Sequence, residues 1–208
     1  MTKLKLCGLR RAEDIRMVNR YKPDYIGFIF AESRRQVTHQ QASELKALLS
    51  PNISAVGVFV NAPVEEIAAV CNAGIIDLVQ LHGDESEPYI RQLRREITLP
   101  IIKAIRVRTP EQILRAADLP CELLLLDTYV EGQRGGSGTS FDHSMVPPIS
   151  KPFFLAGGLN EENLPAALEA CHPYAVDISS GVETDGFKDE QKIRTITALM
   201  LSRERSRI

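Results

Sequence analysis

Eight short apolar or β-branched segments recur along this chain at intervals of about 20 to 30 residues, and they limit the folds open to it. Most of them are apolar throughout and do not alternate with polar residues, which is typical of parallel strands buried on both faces. The eight segments are Lys3–Cys7, Tyr25–Phe30, Ile53–Val60, Leu78–Leu81, Ile101–Ile105, Glu122–Asp127, Phe153–Ala156 and Ala175–Ile178.

The stretches between these segments have the spacing of amphipathic helices. Apolar residues fall at i, i+3, i+4 and i+7 from Leu164 to Cys171, with Asn160 ahead of them as a candidate N-cap. Further apolar stripes lie at residues 67–71 and 193–200. Eight strand–helix units predict an α/β fold, the (β/α)8 TIM barrel, as a single domain over residues 1–208. A doubly wound open sheet is the competing architecture.

The sixth unit departs from this pattern. After Asp127 the chain is polar and rich in glycine from Thr128 to Ser140, and Pro147 and Pro148 follow. Proline interrupts a helix because it lacks an N–H donor and clashes with the preceding turn. The sixth unit is therefore predicted to be irregular, with a long loop in place of a regular helix.

Composition excludes several classes of protein. A formal net charge of −2 argues against a general binder of nucleic acid or membrane surfaces. No apolar run is long enough for a membrane-spanning helix, and the first residues lack the apolar stretch of a signal peptide. The four cysteines are far apart and form no CxxC pair, which favours free thiols in a reducing cytoplasm over disulfides or a zinc site.

Two strand ends near the C-terminus carry small residues that leave backbone N–H groups accessible. Gly157 and Gly158 follow the seventh strand. Ser179, Ser180 and Gly181 follow the eighth. In a (β/α)8 barrel the loops after these two strands often bind phosphate, especially where a helix begins. The pair predicts a small phosphorylated ligand.

The C-terminal ends of barrel strands face the active site, so the residues at those positions are candidates for chemistry. A thiol, Cys7, ends the first strand, and a carboxyl, Asp127, ends the sixth. Both would share one mouth with the phosphate loops, which suits acid–base catalysis on a phosphorylated anion. Each also has a structural interpretation, as a buried core thiol or a paired carboxyl. The other candidates are Arg34, Arg35, Asn61, Gln80, His82 and Arg106.

Ten short blocks in order along nearly the whole chain are similar to those of the phosphoribosylanthranilate isomerase family of tryptophan biosynthesis. Any one block is weak, but together they are specific. The blocks are Lys5–Leu9, Gly27–Phe30, Ser33–Arg35, Val56–Asn61, Val79–Gly83, Ile102–Ala104, Leu126–Thr128, Gly135–Gly138 with Phe141 and Asp142, Ala156–Leu159 and Val176–Glu183.

The resemblance implies a (β/α)8 isomerase that carries out an Amadori rearrangement of N-(5′-phosphoribosyl)anthranilate without a metal or an organic cofactor. By similarity, Asp127 is the general acid that opens the furanose ring. Cys7 is the general base that removes the C2′ proton, which calls for a lowered thiol pKa at neutral pH. Arg35 holds the anthranilate carboxylate.

The strand-end positions and the resemblance together give the remaining site residues. Gly157, Gly158, Ser179, Ser180 and Gly181 are expected to bind the phosphate. The side chains expected to contact the substrate besides Arg35 are Gln80, His82 and Asp177. The protein is expected to be a cytoplasmic monomer or weak homodimer whose partner is the small phosphorylated substrate, with no nucleic acid and no membrane.

Two alternatives stay open at this point. The first is another phosphate-binding barrel isomerase, such as the histidine-pathway aminoaldose isomerase, although that family has Asp where this chain has Cys7. The second is a barrel that binds phosphorylated metabolites without catalysis. One departure from the family concerns the entry to the first helix, where Arg10 and Arg11 stand in place of the usual Ser or Thr cap.

Overall fold

The computed structural model of the chain describes residues 2–128 and 145–205. Eight parallel strands form a closed barrel in chain order, so the predicted fold is confirmed. Closure between the first and last strands, with Lys3 beside Ala175 and Leu6 beside Ile178, excludes the open sheet. The strands are β1 (Lys3–Cys7), β2 (Tyr25–Ile29), β3 (Ser54–Phe59), β4 (Leu78–Leu81), β5 (Ile101–Val107), β6 (Leu123–Thr128), β7 (Phe153–Leu155) and β8 (Ala175–Ile178).

Helices cover the outside of the barrel. Between β6 and β7, residues 145–152 form no α-helix, and the predicted loop beyond Thr128 lies outside the described residues. A short two-stranded hairpin, β9 (Glu183–Thr184) and β10 (Phe187–Lys188), precedes the last helix. The helices are α1 (Ala12–Tyr21), α2 (His39–Leu48), α3 (Val64–Asn72), α4 (Glu87–Glu96), α5 (Pro110–Ala117), α6 (Leu164–Cys171) and α7 (Glu190–Arg205).

The strands separate two apolar layers. The larger layer lies between the strands and the helices, and it includes the predicted stripes of α3, α6 and α7. A smaller cluster fills the inside of the barrel, with Ile102, Leu125 and Phe154 among its members. Because side chains alternate along a strand, Leu125 on the inner face places Asp127 on that face too, at the C-terminal mouth. None of the described helices is long and apolar enough to cross a membrane.

Helix α1 begins without a Ser or Thr cap, and a carboxylate in its first turn makes the capping contacts. Asp14, at the third helical position, reaches back and accepts hydrogen bonds from the backbone N–H groups of Arg10 and Arg11, at 3.0 and 3.1 Å. A carboxylate in the first turn satisfies free N–H donors and also suits the positive end of the helix dipole. Asp14 therefore replaces the usual cap.

The predicted start of α6 was wrong by three residues. The helix is preceded by Asn163, not by Asn160. The Asn160 side chain instead accepts hydrogen bonds from the N–H groups of Glu162 and Asn163, at 2.9 and 3.1 Å. An Asn side chain that bonds the backbone two or three residues ahead stabilises a local turn in competition with helix. The turn takes residues 160–163, and the helix begins only at Leu164.

Candidate active site

A cavity of about 540 Å³ opens at the C-terminal mouth of the barrel. Of the residues predicted to act in catalysis or binding, the structure brings all except Gly181 to this cavity, whereas the further candidates Arg34, Asn61 and Arg106 do not line it. The predicted residues that line it are Cys7, Arg35, Gln80, His82, Asp127, Gly157, Gly158, Asp177, Ser179 and Ser180. Their convergence from six strand ends or following loops is the geometry that the strand-end rule predicts.

Gly181 has a different role in the geometry from that of its neighbours. A Cβ atom placed there would lie 2.0 Å from the carbonyl oxygen of Leu159, in the loop after β7. The contact is with a backbone atom, which cannot move aside as the end of a flexible side chain can. Glycine at this position therefore lets the loops after β7 and β8 touch, which brings the two predicted phosphate loops side by side.

The Cys7 thiol points into the barrel and is almost fully buried. Gly27 stands beside it on β2, and a Cβ atom there would lie 2.5 Å from the sulfur. Gly27 thus provides the space that the thiol occupies, a role that the sequence did not reveal. It could have been suspected, since a glycine inside a buried strand often marks a close approach.

The pKa of the Cys7 thiol is raised above its ordinary value, whereas the role of a base at neutral pH calls for a lowered pKa. Burial is the largest cause, because it disfavours the thiolate. The positive charge of Lys5 lowers the pKa. The negative charge of Asp177 raises it, and the positive charge of Lys188 lowers it. The thiol therefore depends on neighbouring cations for whatever ionisation it has.

Lys5 is the most unusual group in the barrel interior, since it is a fully buried lysine. Its Nζ donates to Oδ2 of Asp177 at 2.7 Å and to Oε1 of Gln80 at 2.7 Å. A buried ammonium is tolerated only where it is paired and hydrogen-bonded, and these contacts supply both. Sequence reasoning missed Lys5, although a charged residue two positions before Cys7 on the same face of an apolar strand was a usable signal.

A chain of polar contacts continues from Gln80 to the carboxyl at the end of β6. Nε2 of Gln80 lies 2.8 Å from Nδ1 of His82. Nε2 of the same ring lies 3.3 Å from Oδ2 of Asp127. The candidate acid is therefore linked through His82, Gln80 and Lys5 to the β1 strand that carries the candidate base.

Arg35 lies at the cavity but is held by a carboxylate of the protein. Its Nε and Nη2 groups donate to the two oxygens of Glu183, each at 2.7 Å. Gly8 makes room for this arginine, since a Cβ atom there would lie 2.5 Å from Cδ of Arg35. The Arg34 side chain is 63% exposed and makes one contact with Glu183, at 3.1 Å, so only Arg35 lies in the cavity wall.

Glu183 lies at the centre of a compact group of charges. Its buried side chain also accepts a hydrogen bond from Nζ of Lys188, at 2.8 Å. Burial acts to raise the pKa of Glu183, but Arg35 and Lys188 outweigh burial and lower it to about 2. Glu183 and Lys188 were not among the predicted site residues, because only the fold brings the β9–β10 hairpin to Arg35.

The loops predicted to bind phosphate have accessible backbone of special geometry. Gly157 and Gly158 have φ values of 92° and 64°, a left-handed conformation that favours glycine. After β8, residues 180–182 form the short helix expected there, as one turn of 3-10 helix. Ser179 donates its hydroxyl to the carbonyl oxygen of Cys7, at 3.0 Å, so that side chain ties the loop to β1.

One buried polar atom in the described part of the cavity lacks a hydrogen-bond partner. It is Oδ1 of Asp177, whose other oxygen is bound by Lys5. An unsatisfied buried carboxylate oxygen is costly, and it readily accepts a hydrogen bond from a hydroxyl. In residues 2–128 and 145–205, no three His, Cys, Asp or Glu side chains are placed to hold a metal ion.

Comparison with known proteins places this geometry in a family. The family model described as N-(5′-phosphoribosyl)anthranilate (PRA) isomerase matches residues 4–198. A relative from Lachnoclostridium phytofermentans, named N-(5′-phosphoribosyl)anthranilate isomerase, is 45% identical over 205 residues, which cover 92% of this chain and 94% of the relative. A relative of the same name from Endomicrobium trichonymphae is 47% identical, with 93% and 95% covered.

Solved structures agree with the sequence comparison. The phosphoribosyl anthranilate isomerase of Thermus thermophilus superposes with a TM-score of 0.86 at 32% identity, covering 97% of this chain and 99% of that one. A phosphoribosyl anthranilate isomerase in complex with reduced 1-(o-carboxyphenylamino)-1-deoxyribulose 5-phosphate has a TM-score of 0.80 at 32% identity, with 95% and 97% covered.

Proposed function

The chain belongs to the N-(5′-phosphoribosyl)anthranilate isomerase family, and from that premise we propose which of its residues carry the reaction. It is an aldose–ketose isomerase of tryptophan biosynthesis that converts N-(5′-phosphoribosyl)anthranilate to 1-(2-carboxyphenylamino)-1-deoxyribulose 5-phosphate by an Amadori rearrangement. One observation carries the assignment of residues: the Cys7 thiol and the Asp127 carboxyl face the same cavity, beside the two phosphate loops.

Asp127 is proposed as the general acid. It protonates the furanose ring oxygen, the bond between that oxygen and C1′ breaks, and the ring opens to a protonated Schiff base with the anthranilate nitrogen. A positioned acid of this kind is typically worth about 10²–10⁴ in rate. The contact from Nε2 of His82 to Oδ2 supports the role, because an N–H donor stabilises the carboxylate left after proton transfer.

Cys7 is proposed as the general base. Its thiolate removes the proton from C2′, and the electron pair of that bond moves to the Schiff base to give the enolamine. The enolamine then tautomerises to the ketone. Since burial raises the pKa of the thiol, the base works only if nearby cations stabilise the thiolate, and Lys5 and Lys188 act in that direction.

Arg35 is proposed to bind the anthranilate carboxylate. Glu183 takes the Nε–H and one Nη2–H of the guanidinium, and the group has further donors on its other edge. A guanidinium held along one edge is well suited to a second carboxylate, because its fork is already oriented. Glu183 is thus a positioning residue, whereas Arg34 is mostly exposed and takes no part.

The phosphate is proposed to lie between the loops after β7 and β8. Gly157 and Gly158 offer main-chain N–H groups from one side, and Ser179 and Ser180 from the other. Gly181 serves the same site by allowing the loops to meet.

Three side chains complete the substrate contacts in this proposal. The unpartnered Oδ1 of Asp177 accepts a hydrogen bond from a sugar hydroxyl. Gln80 and His82 line the floor of the same cavity.

We also propose that residues 1–208 act as one catalytic domain, as a monomer or weak homodimer in the cytoplasm. The four free cysteines support a reducing compartment. The large apolar side chains found exposed in the described residues are single and scattered along the chain, which supports weak self-association at most. Analytical ultracentrifugation of the purified protein measures the oligomeric state directly.

A turnover assay that follows the fluorescence of the anthranilate group tests the assignment of acid and base. Cys7→Ala and Asp127→Asn should each fold and lose at least about 10² in kcat with little change in KM. Cys71→Ala, on the outer helix α3, is the matched control and should keep its activity. If the Cys7 variant keeps most of its activity, the thiol is a packing residue and this mechanism is wrong.

A further inference from the structure

Lys5 carries a charge that the proposed reaction uses only as one of the cations near the Cys7 thiol. It is fully buried and lies on the inner face of β1, two residues before Cys7. A structural ion pair with Asp177 alone would need only one of its three N–H donors. The ammonium also donates to Gln80, and its charge acts on the nearby Cys7 thiol, so its influence extends beyond the ion pair.

We propose that Lys5 is a positioning residue for both halves of the reaction: its charge lies on the same face of β1 as the Cys7 thiol, two residues away, and through Gln80 it fixes the orientation and the tautomer of His82. The proposal rests on the proposed function, because the two groups that it organises are the assigned base and the partner of the assigned acid. It adds a residue and a physical link that the reaction scheme itself does not require.

The link to His82 follows from which groups can donate. An ammonium has donors only, so the atom of Gln80 that faces Lys5 at 2.7 Å is the carbonyl oxygen Oε1. The amide NH2 of Gln80 must then face Nδ1 of His82, at 2.8 Å, and an NH2 group only donates. Nδ1 therefore accepts and carries no proton.

In this arrangement the N–H of the ring is on Nε2. That N–H faces Oδ2 of Asp127 at 3.3 Å. With Oδ2 accepting from the ring, the proton that Asp127 transfers is held on Oδ1. The charge of Lys5, in the middle of β1, thus influences which oxygen of Asp127 carries the proton, three groups away.

The link to Cys7 is electrostatic. The groups that act on the thiol come from every side of the mouth: Lys5 on its own strand, Asp177 on β8, Lys188 on β10, and Arg35 in the loop after β2. Burial works against the thiolate, and Lys5 favours the thiolate more strongly than Lys188 does. Removing Lys5 should therefore raise the pKa of the Cys7 thiol further, because burial and Asp177 already act in that direction.

Nitrogen-15 NMR of the histidine rings in the intact wild-type protein is the first test. His82 should carry a proton on Nε2 and none on Nδ1, and Gln80→Leu should remove this preference because the donor to Nδ1 is gone. A wild-type ring that is protonated at Nδ1 or at both nitrogens overturns the proposal. So does a Gln80 variant with an unchanged ring.

The second test follows alkylation of Cys7 by iodoacetamide against pH, with the modified peptide measured by mass spectrometry. Lys5→Met should raise the midpoint by about 1–3 pH units, the usual effect of one opposite charge at contact range. Lys3→Met is the matched control, on the same strand and face but at the far end, paired with Tyr25, and should leave the midpoint in place. Equal shifts in the two variants, or none, contradict the proposal.

Neither measurement uses substrate turnover, so each stands apart from the assignment of the reaction. If Cys7→Ala stays active while the ring and alkylation results hold, the role of Cys7 fails and the polar link survives. If the Lys5 variant does not fold, the wild-type and Gln80→Leu ring spectra still decide the matter, because they leave Lys5 in place.

Discussion

Replacing Glu183 with glutamine should destabilise the protein at neutral pH and much less in acid. The side chain is buried, accepts two hydrogen bonds of 2.7 Å from Arg35 and one of 2.8 Å from Lys188, and carries the single negative charge in that contact. Glutamine keeps the shape but cannot neutralise the two cations, which then stay buried without a counter-charge.

The pKa of Glu183 gives the magnitude. It falls from an ordinary 4.5 to about 2 because Arg35 and Lys188 outweigh burial, a shift that corresponds to about 3 kcal/mol. A depressed carboxyl pKa stabilises the folded state fully above the unfolded-state value and less as pH falls through the window from 4.5 to 2. Linkage then predicts that the wild type loses about 1 kcal/mol of the stabilisation from Glu183 at pH 4 and about 2 kcal/mol at pH 3.

Urea unfolding of wild type and Glu183→Gln at pH 7, 4 and 3 measures this directly. The difference in free energy of unfolding should be about 3 kcal/mol at pH 7 and about 1 kcal/mol at pH 3. The control is Glu87→Gln, which removes an exposed ion pair with Arg91 and should cost under about 1 kcal/mol throughout. A Glu183 difference that is the same at pH 7 and pH 3 would refute the electrostatic account.

Three further predictions concern the cavity. Arg35→Ala should cost about 2–4 kcal/mol in kcat/KM and Arg34→Ala far less, since only the former lines the cavity; equal effects in steady-state kinetics would reverse their roles. Gly27→Ala should displace the Cys7 thiol and lower kcat at least about tenfold, whereas Gly57→Ala, whose nearest neighbours are Ile76 and Phe59, should cost about 1–3 kcal/mol of stability and little kcat. An active Gly27 variant would show that the thiol has room to move. Gly158→Val should weaken substrate and inorganic phosphate alike in calorimetry, and unchanged phosphate binding would place the anion elsewhere.

The architecture was predictable because its signals are local. Unbroken apolar segments such as Leu123 to Leu126 belong to strands covered on both faces, and their regular spacing left few topologies. Errors came where two local signals compete. Asn160 has the side chain of a helix cap, but the same oxygen also stabilises a turn, and the sequence alone does not show which structure it joins.

The site was only partly predictable because its support depends on long-range contacts. The strand-end rule located Cys7 and Asp127 at one cavity without knowledge of their neighbours. It could not find Glu183, because the role of this residue depends on a hairpin that folds back onto Arg35, 148 positions away in the chain. It also could not give the pKa of the Cys7 thiol, since burial depends on packing around the finished barrel.

The pairing of β1 with β8, which closes the barrel, can form only late in synthesis on the ribosome. Lys5 and Asp177 meet across this pairing although they are 172 positions apart. At about 5–20 residues per second, Lys5 waits roughly 10 to 35 seconds for its counter-ion to be synthesised. Through that interval its strand has no closed interior in which to bury a charge. A ribosome that stops short of residue 177 therefore releases a chain in which the Cys7 thiol and its supporting ammonium have no shared pocket, however many of the earlier strands have paired.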